Sequence, residues 1–121
     1  MDIQDLVGFT LEGCRFSKSS YTFEFCGQLN NEYRTFFVST SYNFSLPGEK
    51  LSDAGENFSL EVWDFLEKKV TSILVDDNEQ SPKVIFDFEK DGQFLICSDE
   101  PLIDNLLIVT NQETGDWFPV S

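Results

Sequence analysis

The chain has 121 residues, of which 22 are acidic and 8 are basic, and its formal net charge is −14 at pH 7. A chain of this length fits one domain, and its 13 phenylalanines supply enough apolar surface for a core, which excludes a disordered acidic tail. Because Lys and Arg are few and scattered, the composition argues against binding to nucleic acid or to anionic membranes.

The first half of the chain is predicted to form an antiparallel meander. Apolar and polar residues alternate in the stretches TLEGCRFS, YTFEFCGQL and YRTFFVSTSYNF, which is the two-residue period of a strand. Lys18 to Ser20 and Asn30 to Glu32 are polar and predict the turns between these strands. Gly13 lies inside the first strand, where it indicates a bulge.

The middle of the chain is predicted to join two halves. Residues 45–59 contain proline, two glycines and several polar turn formers, so we expect a loop there. Apolar residues then recur near the helical spacing, Ser59 can act as an N-cap, and Lys68 and Lys69 fall in the last turn. The pattern predicts one short helix near 59–69.

The remaining residues return to strand patterns. The stretches VTSILV, PKVIFDFE, QFLICS, NLLIVT and WFPV predict a second meander, with a turn at Asp91 and Gly92. Two similar β halves, about 1–44 and 60–121, would each cover the apolar face that the other cannot bury alone. The expected fold is therefore α+β and mostly β, a single domain over 1–121 built as an antiparallel sandwich or partly open barrel.

The acidic residues are concentrated in the second half. Consecutive hairpin turns alternate between the two ends of a meander, so turns 76–82 and 98–105 should lie at the same end. That end would gather six carboxylates: Asp76, Asp77, Glu79, Asp99, Glu100 and Asp104. They form either a landing site for a basic protein or a set of solvated turn residues. Trp117 is a further candidate, either as an interface anchor or as a residue that closes the sheet.

The sequence lacks the usual patterns of an enzyme. There is no histidine, no glycine-rich phosphate loop and no nucleophile motif, so we expect neither catalysis nor a cofactor. The stretch from Asp76 to Asp87 is a poor calcium loop, because Ser81 stands where glycine is needed and Asp87 where a glutamate is needed. We therefore expect no metal site.

Localisation is predicted from the terminus and the thiols. The N-terminal residues MDIQDLVGF are acidic, whereas a secretory signal is basic, and no long apolar run predicts a membrane span. Cys14, Cys26 and Cys97 are odd in number and widely spaced, which favours reduced thiols over a disulfide framework. We expect a cytoplasmic protein.

An acidic chain of this length, with phenylalanine-bearing strands, one helix and no catalytic machinery, resembles the immunity proteins of bacterial contact-dependent growth inhibition and related polymorphic toxin systems. The resemblance implies a stoichiometric inhibitor, or antitoxin, of a cognate toxin domain, commonly a basic nuclease. Acidic groups at 76–79 and 99–104 would then replace the phosphates that a nuclease binds. Two alternatives stay open: an acidic nucleic-acid mimic that blocks a DNA-binding host protein, and a small acidic domain whose charge only provides solubility.

Overall fold

The computed structural model describes residues 2–45, 49–51, 57–59, 62–102 and 104–120. Short 3-10 helices lie at Ile3–Leu6, Val62–Phe65 and Glu89–Asp91. The strands are β1 Thr10–Phe16, β2 Tyr21–Leu29, β3 Glu32–Thr40, β4 Asn43–Ser45, β5 Glu49–Leu51, β6 Asn57–Ser59, β7 Ser72–Asp76, β8 Lys83–Asp87, β9 Gln93–Cys97, β10 Leu107–Asn111 and β11 Trp117–Val120.

Two antiparallel sheets form the body of the protein. One has the strand order β1-β2-β3-β10-β11 and the other the order β4-β9-β8-β7. The mostly β fold is confirmed: β1 to β3 form the first predicted meander and β7 to β9 form part of the second, whereas its last two strands, β10 and β11, lie in the other sheet. The described strands leave both sheets open at their edges, so the fold is a sandwich rather than a closed barrel.

The two sheets do not coincide with the two halves of the sequence. Strand β4 belongs to the first half but pairs with β9, and β10 belongs to the second half but pairs with β3. The first meander therefore receives two strands from the second half, β10 and β11, and the second meander receives one from the first half, β4. These exchanges satisfy backbone groups at edges that a three-stranded meander leaves unpaired.

Phenylalanine rings fill the space between the sheets. Phe23 stacks on Phe94 with ring centroids 5.0 Å apart, and Phe25 stacks on Phe86 at 5.5 Å. All four side chains are fully buried. Because each pair joins β2 to the second meander, the alternation in the sequence defines the inward face of both sheets.

The segment between the halves differs from its prediction. Within the predicted loop 45–59, strands β5 and β6 pair as a hairpin, while residues 46–48 and 52–56 lie outside the described residues. The predicted helix near 59–69 shortens to a 3-10 turn at Val62–Phe65, and residues 60 and 61 are also outside the description.

The helix ends early because the following backbone pairs with β1. The N–H of Glu67 donates to Leu11 O at 2.7 Å, and Leu11 N–H donates to Lys68 O at 3.1 Å. These bonds hold Glu67 to Lys68 in a non-helical path, so tertiary pairing overrides the local helical spacing. The bulge predicted at Gly13 is confirmed by a register shift between Leu11 and Gly13.

Candidate functional site

The two acidic turns meet at one end of the four-stranded sheet, as the meander rule predicts. Residues 77–82 follow β7 and residues 98–106 follow β9, while β8 runs back between them. The N–H of Ser98 donates to Pro82 O at 3.0 Å and ties the turns together. They line a shallow depression of about 460 Å³ formed by Asp77, Asn78, Glu79, Pro82, Pro101 and Leu102.

Local hydrogen bonds shape both turns. The Asp76 carboxylate accepts from Asn78 N–H at 3.1 Å, and the Asn78 side-chain oxygen accepts from Gln80 N–H at 2.8 Å. In the second turn, the Ser98 hydroxyl donates to Glu100 O at 2.7 Å and accepts from Glu100 N–H. Short polar side chains that satisfy their own backbone are typical of turns, and here they fix where the neighbouring carboxylates lie.

We call the end formed by these turns the acidic rim, comprising the six predicted carboxylates at 76, 77, 79, 99, 100 and 104. Lys83, opposite Asp76 in the sheet register, is the base nearest to them in these strands. Burial raises the pKa of the Cys97 thiol; the charge of Asp99 raises it further, and Lys83 lowers it. The ion pairs Arg34–Glu32 and Lys68–Asp91 lie outside the rim.

Asp104 lies at a corner of the rim. Its carboxylate accepts a hydrogen bond from the hydroxyl of Tyr42, in the crossover between the two sheets. The Thr40 hydroxyl donates to Leu106 O at 2.7 Å and holds the same crossover against the start of β10. Asp104 also lines a second depression, of about 390 Å³, whose wall includes Thr22, Ser39 and Ile108 of the five-stranded sheet.

Trp117 is not brought together with the rim carboxylates. It begins β11 and pairs with Thr110, which in turn pairs with Phe37. Side chains of directly paired residues share a face, and this face points away from the phenylalanine core. Trp117 is 63% exposed there. It therefore lies on the edge strand of the five-stranded sheet, outside the core and apart from the acidic end.

Two exposed residues that sequence reasoning did not single out lie on the same side of the sheet as Trp117. Tyr33 and Ile108 are also exposed, by 60% and 37%, and alternation places both on the same outward side as half-buried Phe37. The signal was present, because the pattern that sends Phe36 and Val38 inward leaves the odd-numbered residues of β3 outward. Alternation does not indicate which strand lies beside β3, so it could not join these residues to Trp117.

Neither a metal centre nor a membrane span is found in the part of the chain that the structure describes. No group of three or more Cys, Asp and Glu side chains there is arranged to hold a metal ion. No helix in those residues has the length and apolar character needed to cross a membrane. Cys14, Cys26 and Cys97 are free thiols, buried or half-buried.

Comparison with known proteins gave no match among protein-family models, curated proteins or solved structures. Two surfaces of this chain are candidates for binding a partner: the acidic rim and the outward side of the five-stranded sheet.

Proposed function

We propose that this chain is a cytoplasmic immunity protein that neutralises a cognate toxin domain, a basic nuclease, by forming a stoichiometric complex through the acidic rim. The observation that carries the proposal is the meeting of two acidic turns at one end of the four-stranded sheet. The protein acts by covering a surface and needs neither catalysis nor a cofactor.

The chemistry of the rim suits a basic protein partner. Exposed carboxylates such as Asp77, Glu79 and Asp99 produce a negative potential that speeds encounter with a positive surface, and salt weakens this effect. A nuclease binds phosphates through lysine and arginine, so the same groups can bind carboxylates. The rim would thus occupy the groove that receives the toxin's substrate.

The arrangement favours an inhibitor of this kind over a general nucleic-acid mimic. A mimic should carry carboxylates in long rows with a phosphate-like repeat, whereas the rim carboxylates lie on two turns at one end of a sheet. Carboxylates on two adjoining turns fit one localised basic site better than an extended DNA-binding groove. A chain whose acidity served only solubility would form no tight complex with a basic protein.

The test uses the toxin that the resemblance implies. Immunity genes of this type lie directly downstream of their toxin genes, so the probe is the toxin domain of the protein encoded immediately upstream. Association and dissociation rate constants are measured over a series of salt concentrations. The rim variant carries Asp77, Glu79 and Asp99 changed to Lys; Asp76 is kept because its carboxylate shapes the turn.

A matched control carries Glu32, Glu67 and Glu89 changed to Lys, since these exposed residues lie outside the rim and the change in net charge is the same. We expect the rim variant to associate at least about tenfold more slowly and with a flatter salt dependence than the control. Equal rates for the two variants would remove the rim from the interface. Absence of any complex with the wild-type chain would contradict the proposed function itself.

A further inference from the structure

We infer that the outward side of the five-stranded sheet binds the same basic partner and supplies the contacts that keep the complex together. We call this surface the outer face and define it by Tyr33, Phe37, Ile108 and Trp117. The inference rests on the proposed function and extends it, because the acidic rim accounts for attraction but offers few large apolar side chains.

The composition of the outer face is that of a protein-binding surface. Large aromatic side chains with an exposed apolar body often carry most of the energy of an interface. Small polar residues, Thr22, Ser39 and Thr110, lie beside them and line a shallow depression of about 460 Å³ next to Phe37. Their short side chains leave the aromatic groups accessible to a flat partner.

The outer face is continuous with the acidic rim. Ile108 and Ser39 pair across β10 and β3, and both line the depression that contains Asp104. Asp104 itself belongs to the loop of the rim. A single partner can therefore contact the rim and the outer face without crossing a gap between them.

Charge complementarity identifies the occupant. The outer face carries Arg15, and Glu12 and Glu24 lie near its Tyr33, so it has a small excess of acidic residues, while the adjoining rim is strongly acidic. A second copy of this chain, itself at −14, would bring another acidic rim towards the first. A basic protein with an apolar centre matches both parts of the surface, because its cations face the rim and its apolar residues face the sheet.

The experiment separates the two parts of the surface kinetically, with the same upstream-encoded toxin domain as the probe. Trp117→Ala and Ile108→Ser are each expected to raise the dissociation rate constant by about tenfold, with the association rate constant nearly unchanged. The matched control is Leu74→Ser, because Leu74 is 59% exposed on the outward side of the other sheet. It should leave both rate constants unchanged.

Each outcome decides the inference. If the rim variant associates slowly but Trp117→Ala and Ile108→Ser dissociate like the wild type, the outer face is excluded while the proposed function stands. If the wild type forms no complex, both fail. Sedimentation of the purified wild-type chain that shows a dimer disrupted by Trp117→Ala would assign the face to a second copy and also overturn the inference. Circular dichroism and the thermal midpoint establish whether each variant is folded. If only one of the two folds, its dissociation rate constant is sufficient to test the inference.

Discussion

The carboxylate of Glu113 accepts the backbone N–H of Thr35 through both oxygens, at 2.9 and 3.2 Å, although 78 residues separate them. Strand β10 ends at Asn111, so it offers no further backbone carbonyl to this part of β3. The side chain of Glu113 takes the place of that acceptor, while Gln112 N–H donates to Thr35 O at 2.9 Å. A turn residue thus extends the pairing of β3 beyond the last strand residue.

Replacement of Glu113 by Ala should lower the free energy of unfolding by about 1–3 kcal/mol, because it leaves the N–H of buried Thr35 without its acceptor. Urea denaturation measures this loss. Glu79→Ala is the control, since Glu79 is an exposed acidic turn residue, and its effect should stay within about 0.5 kcal/mol. Equal losses for the two variants would show that the contact with Thr35 adds nothing to stability.

Sequence patterns predicted what depends on local rules. Alternation identified the inward phenylalanines, and the geometry of hairpins placed the turns of Asp77 and Asp99 at one end. Both rules act over a few residues, so one sequence is sufficient to apply them. The bulge at Gly13 was predicted for the same reason.

The rest depends on contacts between distant residues. The helical spacing near Phe65 gave no sign that residues 67 and 68 would pair with Leu11, and nothing near Glu113 indicated Thr35 as its partner. The outer face was missed because Trp117 and Tyr33 lie in strands from opposite halves of the chain. Only the pairing of β10 with β3 places them on one surface.

Gly27 is required by a close approach of Phe9. A Cβ atom at position 27 would lie 2.8 Å from Cγ of the Phe9 ring and 3.2 Å from its Cα, and the buried ring has little room to move. Gly27→Ala should therefore destabilise the fold by about 1–3 kcal/mol in urea denaturation. Gly13→Ala is the matched control, because its Cβ would meet only the side chain of Glu24, whose flexible carboxylate is nearest, at 3.1 Å. A larger loss at position 13 than at 27 would refute this explanation.

Phe94 is the central ring of the core. Its centroid lies within 4.8 to 5.7 Å of five other rings: those of Phe23, Phe44, Phe65, Phe86 and Phe88. Phe94→Ala should lower the free energy of unfolding by about 3–5 kcal/mol. Removal of the ring leaves a cavity, and the five surrounding rings cannot all move in to fill it. Phe16→Ala, at a ring that is 48% exposed, should lose less than about 2 kcal/mol. Comparable losses in thermal denaturation would mean that Phe94 is not the centre of the core.

Cys14 makes the stability of the fold depend on pH in the alkaline range. Burial raises the pKa of its thiol from the ordinary value of 9.0 to about 11, because the half-buried site disfavours the thiolate. The folded state therefore holds this proton more tightly than the unfolded state does. The resulting stabilisation is fully present below pH 9 and is lost as the pH rises towards 11.

Comparison with Cys14→Ala isolates this contribution, since the tyrosines, lysines and other cysteines titrate in both proteins. Between pH 8.5 and 11, the urea midpoint of the wild type should fall more steeply than that of Cys14→Ala. Parallel slopes would show that the thiol of Cys14 ionises equally in the folded and unfolded chains. Alkylation by iodoacetamide at pH 8 gives a second readout: Cys14 should react more slowly in the native protein than in urea, because the thiolate is the reactive form.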